Sequence, residues 1–141
     1  MKKNFKKFMI FGLTAAMTAG VAVNVMAASD SYTMRLDGGE AECYIACDDT
    51  SAYASTDVYA DYQAEIIWAS ADVQFEGLIS DGTYEYIDSD SSYAENYFTL
   101  SEGTSASASG DISYSIQKNA SSSHAAGIDS DSDSCALSVD Y

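Results

Sequence analysis

The stretch Ala52-Tyr53-Ala54-Ser55-Thr56-Asp57-Val58-Tyr59-Ala60-Asp61-Tyr62-Gln63-Ala64-Glu65-Ile66-Ile67-Trp68 decides the fold class. Its even positions are mostly small or apolar, while its odd positions carry Asp57, Asp61, Gln63 and Glu65. Side chains on a strand alternate between two faces, so this pattern describes a strand with one buried and one wet face. A helical stripe through Val58, Tyr62, Ile66, Ala69 and Val73 competes with that reading. It would stack Asp57, Asp61 and Glu65 one turn apart with no cation nearby, which opposes a helix. The run exceeds a usual strand of about 5 to 6 residues, so a break is expected near Ala60 to Tyr62. Beyond Trp68 the apolar parity moves to odd positions, Ala69, Ala71, Val73 and Phe75. A one-residue phase change marks a β-bulge or a strand that changes sheets.

The same alternation extends outward in both directions. Tyr32, Met34 and Leu36 share a face, Asp37-Gly38-Gly39-Glu40 supplies a turn, and Ala41, Cys43, Ile45 and Cys47 share a face beyond it, which together make a hairpin. Downstream, Gly77 to Gly82 reads as a turn followed by a short strand through Tyr84 and Tyr86. Asp88 to Ser92 reads as a loop, and Tyr93 to Leu100 and Ala106 to Ile116 as two strands. Lys118 to Ser134 is the longest polar stretch, and a last strand carries Cys135, Leu137, Val139 and Tyr141. Seven or eight short strands without a helical segment predict an all-β, antiparallel β-sandwich or barrel. Small Ala and Ser faces suit places where two sheets approach closely.

Charge divides the chain into two parts. Lys2, Lys3, Lys6 and Lys7 precede an apolar run from Phe8 to Val23, and Val25-Met26-Ala27 offers a cut before Ala28. Residues 1–27 are therefore expected to be a cleaved secretory signal peptide and 28–141 a single acidic all-β domain. The apolar run is shorter than the roughly 20 residues that span a bilayer. Loss of those four lysines takes the formal charge from -16 to -20 and leaves Arg35 and Lys118 as the cations. Such a chain repels phosphate backbones and anionic head groups, which excludes nucleic acid and, after cleavage, the membrane as partners.

Export to an oxidising compartment makes Cys43, Cys47 and Cys135 disulfide candidates. On one strand Cys43 and Cys47 lie about 13 Å apart, beyond the roughly 4.4 to 6.8 Å that a disulfide tolerates. One of the two is expected to pair with Cys135. Asp129, Asp131 and Asp133 resemble the opening of an EF-hand calcium loop, but Ser134 stands where that loop needs Gly and no helices flank it. They remain a candidate calcium site, with Asp88 and Asp90 as further ligands; no other cofactor is implied. His124, in a Ser-rich segment without a G-x-S-x-G elbow, reads as a structural loop histidine.

Of the eleven tyrosines, Tyr62 joins Val58 and Trp68 on the core parity, while Tyr53 and Tyr59 share the opposite face with Asp57, Asp61 and Glu65. Tyrosines among carboxylates suit stacking on sugar rings or cation-π contacts, so these five form the candidate binding face. The chain loosely resembles the small secreted β-sandwich proteins common in Gram-positive bacteria, without a motif specific to any family. The expectation is a secreted, non-catalytic bacterial binding protein for an extracellular protein or glycan. A bacteriocin- or toxin-like effector and a calcium-stabilised component of an extracellular assembly are the alternatives.

Overall fold

The computed structural model describes residues 28–141, so the signal-peptide expectation lies outside the described residues. Six antiparallel strands make up this region: β1 (Ala28–Leu36), β2 (Gly39–Cys47), β3 (Ser51–Leu78), β4 (Tyr84–Ser109), β5 (Gln117–Ile128) and β6 (Asp131–Asp140). They form one sheet of order β1-β2-β3-β5-β6, with β4 paired along β3, and the described residues contain no helix. The sheet curls until β6 lies beside β1, which nearly closes a barrel without a ladder between those two strands. The all-β, antiparallel expectation is met. The strand count is six instead of seven or eight.

The count falls because β3 and β4 run through the expected breaks. The first part of β3 pairs with β2, from Gly39↔Ala60 to Cys47↔Ala52, and with the end of β4, from Ser51↔Ser109 to Tyr59↔Ser101. Its second part pairs with the beginning of β4, from Ala64↔Thr99 to Leu78↔Tyr84, and with β5, from Ile67↔Ile128 to Leu78↔Gln117. Between Tyr59 and Ala64 the register slips and both strands turn the corner together. Residues 88–92, expected as a loop, lie within β4. Residues 110–116, expected as strand, form a connection. The polar stretch 118–134 is mostly β5, whose Ala120, Ser122, His124, Ala126 and Ile128 alternate inward.

Parity explains the corner. Ala52, Ala54, Thr56, Val58 and Ala64 face the core, and after a one-residue slip Ile67, Ala69, Ala71, Val73 and Phe75 do. The inward parity changes at Glu65–Ile66, just past the register slip, where the carboxylate of Asp129 accepts both successive backbone N–H groups, at 2.8 and 3.1 Å. Asp129 itself has φ 53° in the β5–β6 turn, and Tyr62 donates its hydroxyl to the same carboxylate at 2.7 Å. The phase change therefore comes before Trp68. The core parity expected for Trp68 and Tyr62 is corrected: Trp68 is on the outer face and Tyr62 is exposed at the corner, while Val58 is buried.

The two layers meet through small residues, with two apolar clusters inside. One gathers Ile45, Cys47, Phe75, Val73, Ala120 and Val139; the other gathers Met34, Cys43, Val58, Ile67, Ala126 and Ile128. Between them, buried Thr56 donates to the Ser70 carbonyl at 2.7 Å and meets His124 Nδ1 at 2.9 Å, while Ser122 meets His124 Nε2 at 2.7 Å. The Thr56 proton is committed to Ser70, so Nδ1 must carry the imidazole hydrogen and Nε2 must accept from Ser122. His124 is thus a buried strand residue that ties the layers together, not a loop histidine. Burial holds its pKa below the ordinary histidine value.

Candidate binding face

The outer face of the second half of the sheet is set by register. Even positions of β3 from Trp68 to Glu76, odd positions of β5 and even positions of β6 point away from the core. On β4 the pairing Phe75↔Asp88 gives way to Glu76↔Tyr86, a bulge at Ile87 that changes its outward parity. Tyr84 and Tyr86 before the bulge, and Tyr93, Glu95 and Tyr97 after it, consequently share one face. These four tyrosines are 50 %, 57 %, 59 % and 55 % exposed. The row covers roughly 40 Å at about 3.3 Å per residue.

Trp68 anchors this row. Its indole stacks on Tyr93 with ring centroids 6.2 Å apart and planes 26° from parallel. Gly127 is its cross-strand partner on β5, and a Cβ there would collide with the indole nitrogen, so only glycine lets the ring lie flat on the sheet. Glu95 accepts the hydroxyls of Tyr93 at 2.8 Å and Tyr97 at 3.2 Å, which sets the tilt of both rings. Beside the aromatics runs a shallow trough of mixed polar and apolar lining. One part, of about 420 Å³, is lined by Ser70, Asp72, Ser123, Ala125 and Ser134. A second, of about 560 Å³, is lined by Asp72, Gln74, Ser89, Ser91 and Ser121. Ser123 donates to Asp72 at 3.1 Å, leaving hydroxyls and a carboxylate directed along the trough.

The five residues expected to form a wet Tyr/acid face are not brought together. Tyr53 is 8 % exposed and packs against Tyr44 with centroids 6.4 Å apart, because the face of β2 and β3 that carries it is crowded by neighbouring side chains. Asp57 and Tyr59 are half-buried beside Glu42, the cross-strand partner of Asp57. Burial, reinforced by Glu42, pushes the Asp57 carboxyl up to about 6, and burial beside Asp57 pushes Tyr59 up to about 12. Asp61 is exposed at the corner, and Glu65 lies past it with its N–H held by Asp129. The corner separates the two acids from Tyr53, Asp57 and Tyr59.

The expected calcium ligands also diverge. Asp129 caps Glu65 and Ile66, Asp131 accepts the N–H of Asp37 at 2.7 Å, and Asp133 accepts that of Ser134 at 2.8 Å. The Tyr62 hydroxyl, with the Ile66 and Glu65 amides, holds the Asp129 carboxyl below its ordinary value. Asp88 and Asp90 cap Ser109 and Ser107 on β4, at 3.1 and 3.0 Å, so charged side chains occupy an edge that would otherwise invite strand pairing. Among the described residues no three His, Cys, Asp or Glu side chains gather as a metal site. These carboxylates fasten turns and edges.

The three cysteines are free thiols: Cys43 and Cys47 buried, Cys135 half-buried. Cys47 Sγ donates to the Asp48 carbonyl at 3.4 Å. Reading residues 88–92 as a loop hid the aromatic row, since it severed Tyr84 and Tyr86 from Tyr93 and Tyr97. The available signal was the odd-position run Ser89, Ser91, Tyr93, Glu95, Tyr97. Searched against known proteins, the chain matches no protein-family model and no curated protein.

Proposed function

We propose that this is a secreted, non-catalytic binding protein whose ligand is an extracellular polysaccharide laid across the outer face of β4, β3 and β5. The observation that carries this reading is the row Tyr84, Tyr86, Tyr93 and Tyr97, with Trp68 stacked on Tyr93, beside a trough of serines and Asp72. A pyranose ring has an apolar C–H face that lies flat on an aromatic ring and an equator of hydroxyls that bond to carboxylates and serines. The face supplies both, side by side. Its length suits a polymer over a single sugar, and its shallow form suits a chain passing across it. The acidic character of the molecule disfavours anionic polymers, so the ligand is a neutral or amine-bearing glycan.

The test is binding of residues 28–141 to a panel of insoluble and soluble polysaccharides, including cellulose, chitin, chitosan and peptidoglycan, by co-sedimentation and titration calorimetry. Trp68→Ala and Tyr93→Ala should each weaken binding about tenfold, the scale of one lost aromatic contact, with an unchanged far-ultraviolet circular dichroism spectrum. No binding across the panel, or equal binding by both variants, would refute the proposal.

A further inference from the structure

Register places two of the thiols opposite each other. Cys43 on β2 is the cross-strand partner of Thr56 on β3, and Cys135 on β6 is the cross-strand partner of His124 on β5. Thr56 and His124 touch across the two layers at 2.9 Å. One strand outward in each layer, Cys43 and Cys135 must therefore face one another. Cys135 packs against the apolar cluster that contains Cys43. Cys47 lies four residues further along β2, opposite Ala52 and in the other cluster. It is about 13 Å from Cys43 along the strand, out of reach of Cys135's position.

We infer that Cys43 and Cys135 form an intrachain disulfide that staples β2 to β6 across the layers, and that Cys47 stays a buried thiol. The bond would fasten the side of the barrel where β1 and β6 lie together without a ladder. The oxidant is a disulfide, supplied by a small molecule or a thiol–disulfide oxidoreductase. Half-buried Cys135, the more accessible thiol, attacks it as the thiolate and forms a mixed disulfide, releasing one thiol. Cys43 then displaces the second thiol from that sulfur. Two S–H bonds are lost, one S–S bond forms, and the oxidant takes up two electrons and two protons. This inference is independent of the glycan reading.

The test uses residues 28–141 refolded with oxidised and reduced glutathione. Intact mass should fall by two hydrogens, and alkylation in denaturant should label one thiol in the wild-type chain and none in Cys47→Ser. Fragmentation of the linked peptide between Cys43 and Cys47 assigns the bond in the wild-type protein even if a variant fails to fold. Reduction should lower the melting temperature by on the order of 10 °C, as for a loop of this length. A bond assigned to Cys47, or three free thiols after oxidation, would overturn the inference.

Discussion

Replacing Thr56 with Val tests whether the polar layer between the two apolar clusters holds the sheets together. The side chains are nearly equal in volume, so packing is conserved and only the hydroxyl is lost. With it go the 2.7 Å bond to the Ser70 carbonyl and the 2.9 Å bond from His124 Nδ1. Each buried bond contributes about 1 kcal/mol net, and an orphaned buried donor costs about 1–3 kcal/mol. The Ser55 carbonyl, which also faces the His124 ring, offsets part of the second term. The expected loss is about 2 kcal/mol, or roughly 8 °C in melting temperature for a domain of this size. Urea titration should show a lower midpoint with an unchanged slope. In a double-mutant cycle with His124→Leu the coupling should be about 1 kcal/mol. Additive effects, or a loss under about 0.5 kcal/mol, would show that the hydroxyl and ring do not act as a unit.

The same site predicts a pH dependence of fixed sign. Burial lowers the folded-state pKa of His124, so the unfolded chain takes up its proton first as pH falls. The contribution of neutral His124 is complete above about pH 6.5, the unfolded value, and is lost on acidification towards the folded value. Protonation would give Nε2 a hydrogen, so Ser122 could no longer donate to it.

Asp57 titrates in the opposite sense. Its folded carboxyl sits at about 6 against about 3.9 in the unfolded chain, so the folded state binds the proton more tightly and stability falls as pH rises through that interval. Asp57→Asn should therefore stabilise the protein at pH 7 by on the order of 2 kcal/mol, after allowance for its partial exposure, and by almost nothing below about pH 4. Equal gains at both pH values in chemical denaturation would contradict this. Gly127→Ala should lift the indole of Trp68 off the sheet and break its stack on Tyr93, shifting tryptophan emission to the red and weakening polysaccharide binding. Trp68 is the only tryptophan, so an unshifted spectrum would refute the geometry directly.

The legible part of the fold was whatever depends on strand periodicity. Alternation at Ala52–Val58 and Ala69–Phe75 announced strands, Asp37–Glu40 announced the first hairpin, and Ala/Ser faces announced close layers. The position of the phase change was not legible, because it is made by Asp129, 63 residues from Ile66, whose carboxylate takes two successive amides of β3. The Asp/Ser segments misled for a related reason. Asp88, Asp90, Asp129 and Asp131 have the composition of loops or of a cation site, yet Asp88 and Asp90 cap amides in the far half of their own strand β4, Asp129 caps the corner of β3, and Asp131 caps the first hairpin turn.

From the sequence alone came the all-β class, the strongly acidic net charge, and the inability of Cys43 and Cys47 to bridge each other. Each rests on local spacing or summed charge, which need no knowledge of distant contacts. The tertiary structure decided which tyrosines are exposed, where His124 lies and which cysteine faces Cys135. Those depend on strand register, and a single bulge reverses the face of every residue beyond it. The bulge at Ile87 aligns Tyr84 and Tyr86 with Tyr93 and Tyr97, and the change of inward parity at Glu65–Ile66 turns Trp68 outward to meet them.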